Sequence, residues 1–139
     1  MHFRSIAYVM GTLLIVTSIA LLLPIITSLI FKEDDLAALL ITAALTITVG
    51  LPLWWFSSGH YELNFKDAVM IAVFGWVFIS AVSTIPFMIH GSIPSFTDSF
   101  FEMMSGYTTT GATILNDIES VPHGLLLWRS ETHLLGGMG

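Results

Sequence analysis

Met104-Ser105-Gly106-Tyr107-Thr108-Thr109-Thr110-Gly111-Ala112-Thr113 is the stretch on which the reading of this chain turns. It is polar and threonine-rich, yet it lies within a sequence otherwise suited to a membrane. Directly before it, Pro94 to Met104 can form a helix that is too short to cross a bilayer. Irregular backbone at membrane depth is stable only where it is buried in protein or lines a cavity, because hydrocarbon cannot hydrogen-bond free N–H and C=O groups. A short helix running into such a loop is the architecture of cation selectivity filters. The pattern points to ion permeation rather than catalysis.

The surroundings agree. Of 139 residues only 10% are charged and 55% are hydrophobic, against roughly 25% charged in an average soluble domain. The apolar material is contiguous: Ser5 to Phe31, Leu36 to Tyr61 and Ala68 to Thr97 carry no formal charge. Each run exceeds the roughly 20 residues a spanning helix needs. Arg4 ahead of an apolar run also suits a secretory signal, whose apolar core is about 7–15 residues long and ends at a small-residue cleavage site. Here the run continues to Phe31 and stops at Lys32-Glu33-Asp34-Asp35 without such a site, so a retained span is expected. The absence of cysteine excludes disulfides, thiolate metal sites and cysteine nucleophiles. A net charge of −6 offers no basic footprint for nucleic acid.

Along the chain, spans are expected at Ile6–Ile30, Leu36–Phe56 and Phe65–Ile89, with Pro24 a kink near the outer end of the first. Asp34 or Asp35 is expected to cap the second span and Asn64 the third. Trp54, Trp55 and Phe56 read as an interfacial aromatic belt, and Ser57 to Asp67 as a polar loop. After the turn His90-Gly91-Ser92-Ile93-Pro94, a short helix is expected over residues 95–105, opened by Pro94 or Ser95, with Asp98 at the favourable positive end of its dipole. Ser105-Gly106 reads as its C-terminal stop. A fourth apolar segment, residues 124–139, has only 15 residues from Leu125 to Gly139. That gives about 22 Å of helix against a hydrocarbon core of about 30 Å. It reads as a helix cut short, and the chain as an N-terminal fragment of a longer protein. With Arg4 inside, Lys and Arg divide two against two across the membrane, so they do not set orientation. Eight acidic residues, Glu33, Asp34, Asp35, Asp98, Glu102, Asp117, Glu119 and Glu131, fall on the side of the loop. A negative vestibule concentrates cations, which favours a loop entering from outside.

A potassium ion sheds its water only if closely spaced neutral oxygens replace it, and backbone carbonyls of an inward-pointing loop supply them. Thr108, Thr109, Thr110 and Thr113 add uncharged hydroxyl oxygens, and Gly111 permits backbone angles closed to other residues. The short helix aims its negative end at the same place. An anion filter calls for Arg or Lys, and none lies between Pro94 and Pro122. An ordinary extramembrane turn explains the loop alone equally well; the ordered series of span, short helix, Thr/Gly loop and second span favours a pore.

Ser105 to Thr113, followed by Leu127-Trp128-Arg129-Ser130 and Leu135-Gly136-Gly137-Met138-Gly139, resembles the first pore repeat of Trk-type potassium uptake proteins of the Trk/Ktr/HKT superfamily. Met1-His2-Phe3-Arg4-Ser5-Ile6 is similar to the start of that family. The resemblance implies an all-α integral membrane protein of the bacterial cytoplasmic membrane, with two extra N-terminal helices (residues 1–60). It implies that residues 61–139 are the first of four membrane–pore–membrane repeats around one pseudo-fourfold pore: outer helix 65–89, pore helix, filter loop 108–113 and a truncated inner helix. Thr109, Thr110, Gly111, Ala112 and Thr113 would form one of four filter segments, with potassium held at the backbone carbonyls of Thr110 and Gly111. A glycine at position 111 goes with potassium preference in this family, and a serine in plant relatives with sodium. A homodimer and a cytosolic nucleotide-binding regulatory ring (TrkA-like) are implied as partners beside membrane lipid. No cofactor is implied; potassium is cargo.

Glu102, inside the short helix, is an intramembrane ionisable group and so a functional candidate. Arg129 is its expected partner, in an ion pair bracing the filter beside Thr108; a direct ion ligand is the second reading. His2, His60, His90, His123 and His133 are scattered without an i,i+4 pair, which argues against a metal site. Glu131 and His133 lack the nucleophile, metal or third group that acid–base catalysis needs. Gly136-Gly137-x-Gly139 reads as close helix packing. The competing function is a non-conducting membrane protein, either a scaffold or a secondary transporter with a broken helix.

Overall fold

The computed structural model describes residues 3–57, 59 and 64–138. Met1 and His2 of the opening motif, Ser58 and residues 60–63 of the polar loop (His60 among them), and Gly139 lie outside the described residues. The described residues form helices α1 (Phe3–Ala20), α2 (Leu22–Phe31), α3 (Leu36–Ser57), α4 (Phe65–Ser83), α5 (Ile85–His90), α6 (Phe96–Tyr107) and α7 (His123–Met138), with no strand among them. Three stretches are long and apolar enough to cross a membrane: Arg4–Phe31, Leu36–Ser57 and Phe65–His90.

The first span is α1 and α2 joined at Leu21, three residues before Pro24. Proline has no N–H for the carbonyl four residues back, so the ladder is interrupted there, while Leu21 still donates to Thr17 and Ile25 to Leu21. The same chemistry divides the third span, which sequence reading left unbroken. Pro86 cannot donate to Val82, and the helix parts at Thr84, whose hydroxyl donates to the Ala81 carbonyl at 2.7 Å.

Helix α1 packs on α3 through two glycines. A Cβ on Gly11 would lie 2.7 Å from Trp54 N, and one on Gly50 would lie 2.8 Å from Leu14 Cβ. In a membrane, where hydrophobic burial drives little association, such small residues allow backbones to approach. Trp54 packs on the Tyr8 ring, whereas Trp55 and Phe56 are exposed at the helix end. Helix α4 lies against α1 and α6, α2 lies against α7, and α6 and α7 pack on each other. The core of Leu21, Ile25, Leu39, Phe87, Met103, Leu125 and Trp128 surrounds α6 and the first turns of α7. The short helix is thereby held against α4, α5 and α7.

Two expected caps take other forms. Asn64 occupies the N-cap position of α4 without a side-chain cap bond. The Asp35 carbonyl accepts from Leu39 N at the start of α3, but its carboxylate turns to Ser28 of α2 and to Leu125 N of α7. The turn therefore caps a helix 90 residues away.

Candidate functional site

Helix α6 is capped by Ser95, whose hydroxyl accepts from Asp98 N at 3.4 Å. Its 12 residues make about 18 Å, a half-span. It does not stop at Ser105-Gly106 as the sequence suggests; it continues to Tyr107. The glycine serves contact instead, since a Cβ on Gly106 would overlap Thr132 Oγ1 of α7. The last carbonyls of α6 are taken by the loop: Thr108 N donates to Met104 O at 2.9 Å, Thr109 N to Gly106 O at 2.9 Å and Thr110 N to Ser105 O at 3.0 Å.

The loop then leaves ordinary backbone space. Thr109 has φ 54° and Gly111 φ 76°. A left-handed glycine is unstrained, but a β-branched residue there is an outlier that the surroundings must enforce. Three of the threonine hydroxyls bond within the protein. That of Thr108 donates to Met104 O at 2.7 Å and lies 2.8 Å from that of Thr110. That of Thr113 donates to Glu102 Oε2 and accepts from Leu115 N, both at 3.0 Å. These hydroxyl bonds brace the loop. The Ala112 carbonyl accepts from Ser105 Oγ at 2.6 Å. Among the described residues, the carbonyls of Thr109, Thr110 and Gly111 accept no hydrogen bond.

Glu102 is fully buried and saturated. Its Oε1 is paired with Arg129 Nε, and its Oε2 accepts from the Thr113 hydroxyl and from Ile114 N at 3.0 Å. One carboxylate thus ties α6, the far limb of the loop and α7 together. Isolated carboxylate is costly to bury, and only pairing with further hydrogen bonds makes it tenable.

The first turn of α7 is clasped from the α2–α3 turn. Glu33 Oε2 accepts from His123 N at 2.7 Å and Oε1 lies 2.7 Å from His123 Nδ1, while Phe31 stacks on the imidazole at 4.2 Å. A Cβ on Gly124 would overlap Asp35 Oδ2. Asp34 accepts from His90 Nε2 at 3.0 Å. Carboxylates at a helix N-terminus meet free N–H groups and the positive dipole end. Partial burial works to raise the Glu33 carboxyl, but its bonds to His123 outweigh it and hold the group below the usual carboxylate range. The His90 bond does the same for exposed Asp34. A carboxyl depressed in the folded state contributes stability above its unfolded pKa and loses it as pH falls through the folded value. The start of α7 is therefore expected to loosen below about pH 4. Hydrogen exchange at His123–Leu125, corrected for intrinsic rate, checks this; Glu33→Gln should loosen the turn at neutral pH and flatten the dependence.

The remaining candidates separate. His90, His123 and His133 lie apart, the last bonded to the Arg129 carbonyl at 3.0 Å, and no three metal-ligating side chains converge among the described residues. Glu131 is buried, and both its oxygens lack a partner among the described residues. Tyr107 is the residue that sequence reading passed over. Its hydroxyl bonds Ser83 Oγ at 2.9 Å, its ring tilts on Trp76, and its backbone carbonyl meets Gly136 of α7. Outside the loop, a cavity of about 420 Å³ is lined by His90, Asp98, Asn116, Asp117 and Ser120 among others.

Comparison with known proteins gives one family. The family model for TrkH, described as cation transport protein, matches residues 36–139. The Trk system potassium uptake protein TrkH of Salmonella typhimurium is 36% identical over 141 residues, covering 100% of this chain and 29% of that protein. The corresponding TrkG of Escherichia coli is 32% identical over 99% of this chain and 29% of its own length. The crystal structure of the potassium transporter TrkH from Vibrio parahaemolyticus superposes with a TM-score of 0.91 at 32% identity, over 100% of this chain and 30% of that one. The chain therefore spans about three-tenths of the length of these relatives.

Proposed function

This chain belongs to the TrkH family of cation transport proteins, and on that footing we propose that it carries the first filter segment of a potassium uptake pore. It is a multi-pass protein of the bacterial cytoplasmic membrane, with the fold of the corresponding part of the Vibrio transporter. The observation that carries the reading is that the Thr109, Thr110 and Gly111 carbonyls, at the end of a 12-residue half-helix, accept no hydrogen bond among the described residues. Neutral oxygens in a braced loop can replace the hydration shell of a monovalent cation. The C-terminal end of α6 adds a favourable dipole. Potassium is assigned to the carbonyls of Thr110 and Gly111 within the segment Thr109–Thr113. Ala112, whose carbonyl already holds one donor, is the weakest ligand of the set. Asp98 and Asp117 at the outer cavity favour cation entry. Glu102 and Arg129 are neutralised by each other, so they support the filter and stand outside the ion path. By family resemblance, three further repeats complete the pore, two copies form a dimer, and a TrkA-like nucleotide-binding ring gates it.

The test is potassium-limited growth of an uptake-deficient bacterium carrying the intact protein, with and without Gly111→Ser. Within this chain a Cβ at residue 111 meets no atom within 4 Å, so here the substitution acts through backbone strain at φ 76°. Left-handed backbone costs a non-glycine residue about 1–2 kcal/mol, enough to shift the loop. Rescue by the parent and a lowered potassium over sodium preference in the variant, at equal abundance, are expected. No rescue by well-expressed parent, with its regulatory partner supplied, would instead favour a non-conducting protein.

A further inference from the structure

Many hydroxyl side chains in these helices bond within their own helix, and Ser105 does not. Thr42, Thr46, Thr48 and Ser130 each donate back to the carbonyl four residues earlier in their own helix, the usual local alternative for such groups. Ser105, buried in the last turn of α6, donates forward to the Ala112 carbonyl, seven residues on and outside the helix. Its own carbonyl accepts from Thr110 N at 3.0 Å. One residue therefore holds the chain on both sides of Gly111, by the N–H of Thr110 and by the carbonyl of Ala112. Between those two bonds sits the left-handed Gly111, and strained Thr109 comes immediately before the first of them.

We infer that Ser105 is a specificity-setting positioning residue of the filter, which fixes the Gly111 turn so that the free carbonyls of Thr109, Thr110 and Gly111 keep one spacing. The inference rests on the pore reading above. Glu102 braces the same loop from further along, at Thr113 and Ile114, so without the Ser105 hydroxyl the loop stays attached but the limb between Thr110 and Thr113 gains freedom. Selectivity between ions that differ mainly in size depends on how well the oxygens hold their positions and field. A looser limb lets the carbonyls close on a smaller ion, so discrimination falls while conduction persists.

The experiment compares potassium and sodium flux into liposomes containing the intact protein as wild type, Ser105→Ala, Ser105→Cys, Ser105→Thr and Gly111→Ser. Loss of the hydroxyl should lower the potassium to sodium ratio about threefold to tenfold, the range one neutral hydrogen bond is worth. Ser105→Cys, close to serine in size but a weak donor, should fall with Ser105→Ala. Ser105→Thr, which keeps the donor, should hold the ratio. A purely structural role would reduce both fluxes together and leave the ratio alone. If Gly111→Ser shifts the ratio and neither Ser105→Ala nor Ser105→Cys does, Ser105 has no such role and the pore reading stands. If no variant shifts it, both fall. Should Ser105→Ala not accumulate, the ratio in Ser105→Cys decides.

Discussion

Arg129→Leu is expected to cost about 3–5 kcal/mol of stability, the penalty for leaving one buried charge without its partner. Glu102 is fully buried, while the Arg129 side chain retains 17% exposure. That difference makes the two single changes unequal. Removing Arg129 strands a carboxylate where water cannot reach it. Glu102→Gln removes the charge, keeps an amide oxygen for Thr113 and Ile114, and leaves a guanidinium that can still touch water. Its cost should be clearly smaller. Combining the two changes removes both charges, so the double variant should be more stable than Arg129→Leu alone by 1 kcal/mol or more, the scale of coupling between groups in direct contact. Thermal unfolding of the four proteins in one detergent gives the cycle. Additive effects would mean that the pair does not tie α6 to α7. Because the same carboxylate holds the far limb of the loop, Arg129→Leu should also lose potassium uptake beyond what its abundance explains.

The spans were legible because each is a long uncharged run, and length plus composition suffice when the solvent is hydrocarbon. The Glu102–Arg129 contact was legible for a related reason, since two opposite charges at membrane depth have few other places to go. What stayed hidden involved residues with more than one physical use. Gly106 reads as a helix stop in sequence, yet the same missing Cβ serves a helix–helix contact, and only the position of Thr132 decides between them. Asp35 has the local signature of an N-cap, but its partners lie on α2 and α7. The break at Thr84 was readable from Pro86 by the argument applied to Pro24, and apolar continuity concealed it. The loop threonines read as oxygen donors by chemistry, and their bracing bonds from Thr108, Thr110 and Thr113 to Met104 O, Glu102 and one another depend on the fold. Ser105 gave no signal, because a serine near a helix end is expected to bond within its own turn.

Gly136 and Gly137 are adjacent in sequence and should respond to alanine with opposite signs. A Cβ on Gly136 would overlap the carbonyl oxygen of Tyr107 and lie 2.6 Å from its carbon and 2.8 Å from its Cα. These are backbone atoms, so no rotamer change relieves the contact. Tyr107 is itself held, by its hydroxyl on Ser83 and by the turn of Thr108 back to Met104. Either α7 moves away from α6, or the end of α6 moves and carries Thr108 and Thr109 with it. Overpacking typically costs about 1–3 kcal/mol and sometimes more, and here it falls at the base of the filter. Gly136→Ala is therefore expected to lose most potassium uptake as well as stability. At Gly137 the nearest atom to an added Cβ is Thr109 Cγ2 at 3.7 Å, an ordinary contact. With no clash to offset it, the helix propensity of alanine should stabilise by about 0.5–1 kcal/mol. Uptake and unfolding temperature measured on the two variants of the intact protein separate the cases. Equal effects at both positions would show that the small residues serve flexibility of α7 and not its contact with the end of α6.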